Sequence, residues 1–269
     1  MDKLLVLGTG NAAVKKCYNT CFALKKDNEY FLVDAGGGNG ILGRLDEMNI
    51  PLNRIHHLFV THEHTDHILG VVWIIRMITT KILANDFVGT FHIYAHTELV
   101  QTIRTLCELT LQKKLTDCFD LRVLFHPLQD GDQWTIMDTP FTFYDILSTK
   151  AKQFAFTFIN DDGKKIAFAG DEPYNEKCFE YVKGADWLMH EAFCLYDQRD
   201  IFKPYEKHHS TAKDAAVLAT QLGVKHLILW HTEEKNLTER KVLYTQEAAK
   251  YFNGNIYVPD DLEVIELCQ

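Results

Sequence analysis

The order of patterns along the chain predicts an α/β fold in which two packed sheets are flanked by helices. Short apolar runs of strand length are bounded by turn residues, and the segments between them carry apolar residues at helical spacing. That succession occurs twice over the 269 residues, each time with polar groups at strand ends. A chain of this length buries a sizeable core. With no internal repeat and no Pro/Ser-rich linker, a single domain over 1–269 is expected.

Leu4–Leu7, Cys21–Leu24 and Tyr30–Val33 read as an opening β-meander, with Asp27-Asn28 as the turn between the last two. Asp34-Ala-Gly-Gly-Gly breaks the sheet, and Ile41, Leu42, Leu45 and Met48 form a helical stripe that Pro51 ends. Ile55–Val60 is the next strand. Ile68–Met77 is apolar on nearly every side and predicts a buried helix, in the core or in a dimer interface, with the core favoured. A strand at Phe91–Tyr94 and a helix over Glu98–Leu111 follow. From Arg122 to Phe168 the runs VLFHPL, WTIM, FTFYDIL, FAFTFI and KIAFAG predict a mostly β region with a turn at Asp161-Asp162-Gly163. Trp187–His190 is a short strand. Thr211 with Asp214 resembles a capping box for a helix bearing Ala215, Leu218, Ala219 and Leu222 and ending at Gly223, before a strand Val224–Trp230 that stops at His231.

The balance of 28 Lys+Arg against 37 Asp+Glu, a formal charge of -9, argues against general attraction to polyphosphate. Seven cysteines without a CxxC pair or an even framework predict a reduced, cytoplasmic chain. MDKLLVLGTG lacks the pattern of a signal peptide, and the longest apolar run, interrupted by Arg76, is too short to span a bilayer, so no membrane partner is expected.

The stretch THEHTDHILG places three histidines, a glutamate and an aspartate directly after an apolar strand. His62 and His64 stand two apart and can point to one side of an extended or looped backbone, with Asp66 and His67 one turn further on. Imidazoles with a carboxylate suit borderline divalent metals, zinc foremost. Any one of these histidines alone would read as an ordinary hydrogen-bonded residue. Asp171, after the strand KIAFAG, reads alone equally as a helix N-cap before Pro173, and His231 alone as a buried structural histidine.

The HxHxDH motif resembles that of the metallo-β-lactamase-fold hydrolases. LVLGTGNA, FLVDAGGG, IAFAGDEP, LMHEAF, HHSTAKDAA and LILWH are most similar to the ribonuclease Z branch, over nearly the whole chain. The resemblance implies a four-layer αββα sandwich with two metal ions about 3.5–4 Å apart at one sheet edge. It implies His62 and His64 at the first ion, Asp66 and His67 at the second, Asp171 bridging both and His231 completing the second. It further implies His209 as the group assisting leaving-group departure and Glu191 as its orienting carboxylate, with Asp66 as proton acceptor. Ser210 or Thr211 also suits a helix cap, and His208 reads as an exposed neighbour.

Two departures from that branch are visible. The further histidine that completes the first metal site is missing: counting back from Ala155 lands on Thr149, beside Ser148, and no histidine lies between His126 and His190. A tight second site and a weakened first one are therefore expected, the latter with water or an unexpected donor such as Asp145. The basic, glycine-rich arm that grips tRNA also has no room in the about twenty residues between Thr149 and Asp171, so tRNA is an unexpected substrate.

The expectation is a hydrolase of a small phosphodiester or related ester, using a hydroxide activated by zinc, or by manganese or iron. A binding scaffold that has lost one ligand is the alternative, and redox chemistry at iron a third. A homodimer is a possible assembly.

Overall fold

The computed structural model describes residues 1–268. The first half of the chain forms β1 (Lys3–Gly8), β2 (Cys21–Lys26), β3 (Glu29–Val33), α1 (Gly40–Glu47), β4 (Ile55–Phe59), α2 (Thr65–Leu83), β5 (Phe91–His96), α3 (Thr97–Thr110), α4 (Lys113–Thr116) and β6 (Val123–Leu128). The second half forms β7 (Gln133–Ile136), β8 (Thr139–Asp145), β9 (Phe154–Ile159), β10 (Lys165–Phe168), α5 (Phe179–Val182), β11 (Trp187–Glu191), α6 (Arg199–Phe202), α7 (Ala212–Leu222), β12 (His226–Trp230), α8 (Arg240–Ala248), β13 (Asn255–Tyr257) and β14 (Val264–Glu266).

Two seven-stranded sheets result, ordered β14-β1-β2-β3-β4-β5-β6 and β13-β12-β11-β10-β9-β8-β7. Each sheet changes from antiparallel to parallel pairing part-way across, at β3/β4 in the first and β10/β11 in the second. Ligand sites in such sheets lie beyond the carboxyl ends of parallel strands. Here those ends lead into residues 61–67, Asp171, Glu191 and His231. Backbone bonds tie the sheets together at this edge: Phe154 N donates to the Thr61 carbonyl at 3.1 Å, and Thr232 N to the Thr9 carbonyl at 3.0 Å.

The sheets face each other across an aromatic core. Phe22 stacks on Trp230 at 4.9 Å, Phe31 meets Phe141 at 5.1 Å, and Phe59 meets Phe143 at 5.0 Å. A second apolar cluster joins the outer face of the first sheet to α1, α2 and α3, while α7 covers β11 and β12 of the other. These are the four layers expected. The carboxyl-terminal elements α8, β13 and β14 were not anticipated. From α8 the buried Arg240 guanidinium donates to Thr9 Oγ1 (2.8 Å), Thr232 Oγ1 (3.0 Å) and the Pro259 carbonyl (2.8 Å), pinning the ends of β1 and β12 together.

The apolar segment at Ile68 is longer and more one-sided than its composition suggests. The helix begins at Thr65, so Asp66 and His67 lie in its first turn. Ile68, Val71, Ile74, Ile75 and Ile78 are buried, but Leu69 and Trp73 are 39% and 38% exposed. Gly70 is required at its position: a Cβ there would lie 1.8 Å from the Ala35 carbonyl oxygen, so glycine lets the helix rest on the Asp34–Gly36 turn. Among the described residues no helix is long and apolar enough to cross a membrane, and the seven cysteines are free thiols.

Candidate metal centre

The loop after β4 and the first turn of α2 deliver the motif histidines, while Asp171 and His231 arrive from the ends of β10 and β12. Asp171 Oδ2 is the meeting point. It lies 3.3 Å from His67 Nε2, 3.5 Å from His231 Nε2 and 3.6 Å from His62 Nε2. Asp66 Oδ2 is 3.3 Å from the same His67 nitrogen, and His64 Nδ1 is 2.8 Å from His62 Nε2. Two triads have donor atoms all within 4.8 Å of one another: Asp66, His67 and His231, and His62, His67 and Asp171.

Neighbouring oxygens hold the far nitrogens of these rings. His67 Nδ1 donates to Asp34 Oδ2 at 2.7 Å, and Asp34 is itself fixed by the Thr61 amide and hydroxyl. His231 Nδ1 lies 3.1 Å from Thr20 Oγ1. With its proton on Nδ1, His67 turns a lone pair inward from Nε2, a buried atom with no hydrogen-bond partner. A tetrahedral ion with bonds of about 2.0–2.2 Å requires donor–donor edges of roughly 3.3–3.6 Å. Three of the six edges among Asp66, His67, Asp171 and His231, at 3.3, 3.3 and 3.5 Å, meet that requirement.

The electrostatics agree. Burial opposes charge on His67, yet Asp66 and Asp34 hold it well above the ordinary imidazole range. Burial likewise opposes charge on Asp171, yet His62, His67 and His231 hold it well below the carboxylate range. Burial pushes His62 well down. Asp66 and Asp171 are held anionic, and the positive charge they favour at His67 is carried either by a proton on Nε2 or by an ion in its place.

His209 stacks on Phe193 with ring centres 4.8 Å apart and planes within 7°, and lies 5.4 Å from His231. Its Nδ1 is 3.6 Å from Glu191 Oε2, while the other Glu191 oxygen accepts from the Ser210 amide. Burial works against a proton on His209, but Glu191 raises its pKa above the ordinary value. The helix cap belongs to Thr211, whose hydroxyl accepts from the Asp214 amide in a full capping box. His208 is exposed. A cavity of about 230 Å³ opens onto Asp66, Asp171, His209 and His231 and is also lined by Lys150 and Lys207.

Around the missing histidine the side chains go elsewhere. Ser148 Oγ donates to Glu172 at 2.8 Å, Thr149 Oγ1 lies 3.2 Å from His208 Nδ1, and Asp145 accepts from the Leu147 amide at 2.8 Å. The expected replacement donor Asp145 is therefore engaged away from the centre. Gln153 takes the inner position instead: its amide donates to Asp171 Oδ1 and lies 3.1 Å from His62 Nδ1. The N-cap reading of Asp171 fails, since the next helical turn starts only at Glu176. Gln153, Asp34, Thr20, Lys150 and Lys207 were not singled out from the sequence. The signal for Gln153 was its place directly before β9, the strand that pairs with β10 and abuts Thr61.

Comparison with known proteins agrees with this architecture. A family model described as "Anti-Pycsar protein Apyc1" matches residues 2–245. The ribonuclease Z of Azobacteroides pseudotrichonymphae is 23% identical over 286 residues, covering 93% of this chain and 94% of that protein. That of Thermococcus sibiricus is 25% identical over 307 residues, covering 99% and 97%. Among solved structures, the metallo-β-lactamase-fold protein YhfI of Bacillus subtilis superposes with a TM-score of 0.80 at 18% identity, covering 98% of this chain and 99% of that one. The short form of human tRNase Z gives 0.74 at 21% identity, with 98% and 99% covered. A diphosphatase of the PhnP family gives 0.74 at 16% identity, with 99% and 98% covered. The chain belongs to the Apyc1 family of anti-Pycsar proteins, within the ribonuclease Z-like branch of the metallo-β-lactamase-fold hydrolases.

Proposed function

We propose that this chain hydrolyses a small phosphodiester or a related ester, with a divalent ion, zinc foremost and manganese or iron as substitutes, held by Asp66, His67, Asp171 and His231. The observation that carries this reading is the orphaned His67 Nε2, 3.3 Å from a carboxylate oxygen of both Asp66 and Asp171. The His62–His64 half, short of one imidazole, is read as the weaker site. When bound, the ion acts as a Lewis acid and lowers the pKa of a water toward neutrality.

The chain's own groups supply the rest. Glu191 faces Nδ1 of His209, which leaves Nε2 to carry a proton to the departing oxygen. Asp66, at the cavity wall, is placed to accept one. Lys150 and Lys207 bring positive charge to the same cavity, where a phosphate would lie, and Phe193 fixes the plane of the His209 ring. A small substrate is favoured over tRNA: β9 and β10 are joined only by the turn over Asn160–Lys164, and the chain carries a charge of -9.

Hydrolysis of an aryl phosphodiester with added zinc or manganese, compared with Asp66→Ala, tests the reading. A metal-dependent rate that Asp66→Ala reduces to the buffer background is expected. Equal rates in the two proteins would assign the chain to the scaffold alternative.

A further inference from the structure

The loop that lacks the histidine delivers a lysine instead. Thr149 stands where the imidazole is missing, and the next residue, Lys150, lines the catalytic cavity with Asp66, Asp171 and His209. The loop is organised around Ser148, whose Oγ donates to Glu172 at 2.8 Å and accepts from the Lys150 and Ala151 amides at 3.2 and 3.3 Å. Two contacts dock it on the segment that carries His209. Lys150 Nζ donates to the Lys207 carbonyl at 3.0 Å, and Thr149 Oγ1 lies 3.2 Å from His208 Nδ1. The ammonium is close enough to His209 for its charge to work against a proton on that ring.

The opposing influence is Glu172, whose Oε1 lies 3.5 Å from Lys150 Nζ and offsets part of its charge. Its placement limits that effect. Glu172 lines the adjoining cavity, with Ser148 and Thr149, and not the catalytic one, whereas Lys150 lines the catalytic cavity and not the adjoining one. An ammonium has three hydrogens. One goes to the Lys207 carbonyl, and the 3.5 Å separation from Glu172 is longer than a hydrogen bond, so donors remain for an oxygen in the cavity. The charge balance calls for them. One divalent ion is offset by Asp66 and Asp171, which leaves no surplus to draw a substrate anion, and the chain as a whole, at -9, repels one. Of the two lysines at the cavity, Lys207 is exposed, with Nζ 5.0 Å above the Phe193 ring, while the Lys150 side chain is only 25% exposed and its head is tied in place.

We infer that Lys150 is a substrate-binding residue that recognises the negative charge of the scissile phosphodiester and sets its preference over an uncharged ester. The inference rests on the functional reading above and narrows the substrate from an ester in general to an anionic one.

The zinc-loaded full chain, Lys150→Met and Lys150→Arg are compared on an aryl phosphodiester and on an uncharged aryl carboxylate ester with the same leaving group. The ratio of the two kcat/KM values, phosphodiester over carboxylate ester, is expected to fall about 10²-fold in Lys150→Met and to return to within about tenfold of the parent in Lys150→Arg, with equal zinc content in all three. Calorimetric titration with inorganic phosphate reads the same contact without turnover, and the affinity is expected to fall about tenfold or more in Lys150→Met. A ratio within about threefold of the parent, an unchanged phosphate affinity, or loss of zinc in Lys150→Met would each overturn the inference. Hydrolysis of neither ester by the zinc-loaded parent would instead overturn the functional reading, and the phosphate titration would still decide the role of the lysine.

Discussion

The molecule carries two histidine clusters, one where the carboxyl edges of the two sheets meet and one on strands β4, β5 and β6 of the first sheet. Away from the metal centre, His57 of β4, His92 of β5 and His126 of β6 form a ladder. The His57–His92 and His92–His126 ring centres are each 5.1 Å apart, His92 Nδ1 lies 2.9 Å from His126 Nε2, and His57 Nδ1 lies 3.1 Å from the Tyr94 hydroxyl. Among the described residues, none of these three rings is hydrogen bonded to a carboxylate. Burial, together with its neighbours' charge, pushes His57 down to about 3 and His126 to about 4. At the metal centre Asp34, Asp66 and Asp171 surround His67, and its basicity moves the opposite way. Imidazoles alone make a neutral packing surface. Interleaved carboxylates, with each ring's far nitrogen anchored, turn the same side chain into a ligand.

The comparison is broken most severely at Asp171. Asp171→Asn removes the oxygen on which three imidazoles converge, and a fall in turnover on the order of 10³-fold, with loss of bound zinc on dialysis, is expected. His92→Gln in the ladder should leave zinc content and turnover within about twofold. His209→Ala sharpens the contrast inside the active end. On the proposed role of the ring as a proton donor that holds no ion, turnover should fall roughly 10²–10⁴-fold while zinc content stays constant. Zinc loss in that variant would reassign the ring. Asp34→Asn comes next. It weakens the anchor that sets the His67 tautomer, so zinc affinity measured against a chelator should fall roughly 10–100-fold. An unchanged affinity would show that helix packing alone holds the ring.

Legibility in the sequence follows the same divide. His62, His64, Asp66 and His67 were readable because they lie within six positions of one another, whereas Asp171 and His231 were singled out only through the family resemblance, each alone reading as well or better as a helix cap or a buried structural histidine. Period-two runs exposed most strands because buried faces alternate. The short β13 and β14, with three residues each, carry too few side chains to show a period. Gln153 was illegible because a lone glutamine has no motif. Its meaning comes from pairing across β9 and β10, a long-range contact that local pattern does not encode. The search for a substitute ligand looked for a donor at the position of the lost histidine, whereas the structure fills the gap with a hydrogen-bond donor four residues later. Arg240 escaped for a related reason, since charged residues on an amphipathic helix ordinarily face water.

The smallest expected effect lies in the ladder and concerns stability. His57 titrates near 3 in the folded chain against an ordinary value of 6.5, so as pH falls the unfolded chain takes up its proton first. The stabilisation is complete above pH 6.5 and declines as pH drops toward 3. Each unit of depression is worth about 1.4 kcal/mol at full burial. His57 is only partly buried, so solvent screening reduces the loss between pH 7.5 and 4.5 to about 1–2 kcal/mol. The groups facing it decide whether the variant reports on this ring alone. His56 and His92 are the nearest cations-in-waiting, Glu29 is held by His56, and Lys26 and Asp138 line the same cavity. Replacing His57 with leucine should remove its share of the acid sensitivity. Urea denaturation of metal-free parent and His57→Leu at both pH values should therefore show the stability difference shifting by about 1–2 kcal/mol in favour of the variant on acidification. Parallel losses in the two proteins would mean that the ladder is electrostatically silent and that acid acts through the carboxylates of the metal centre.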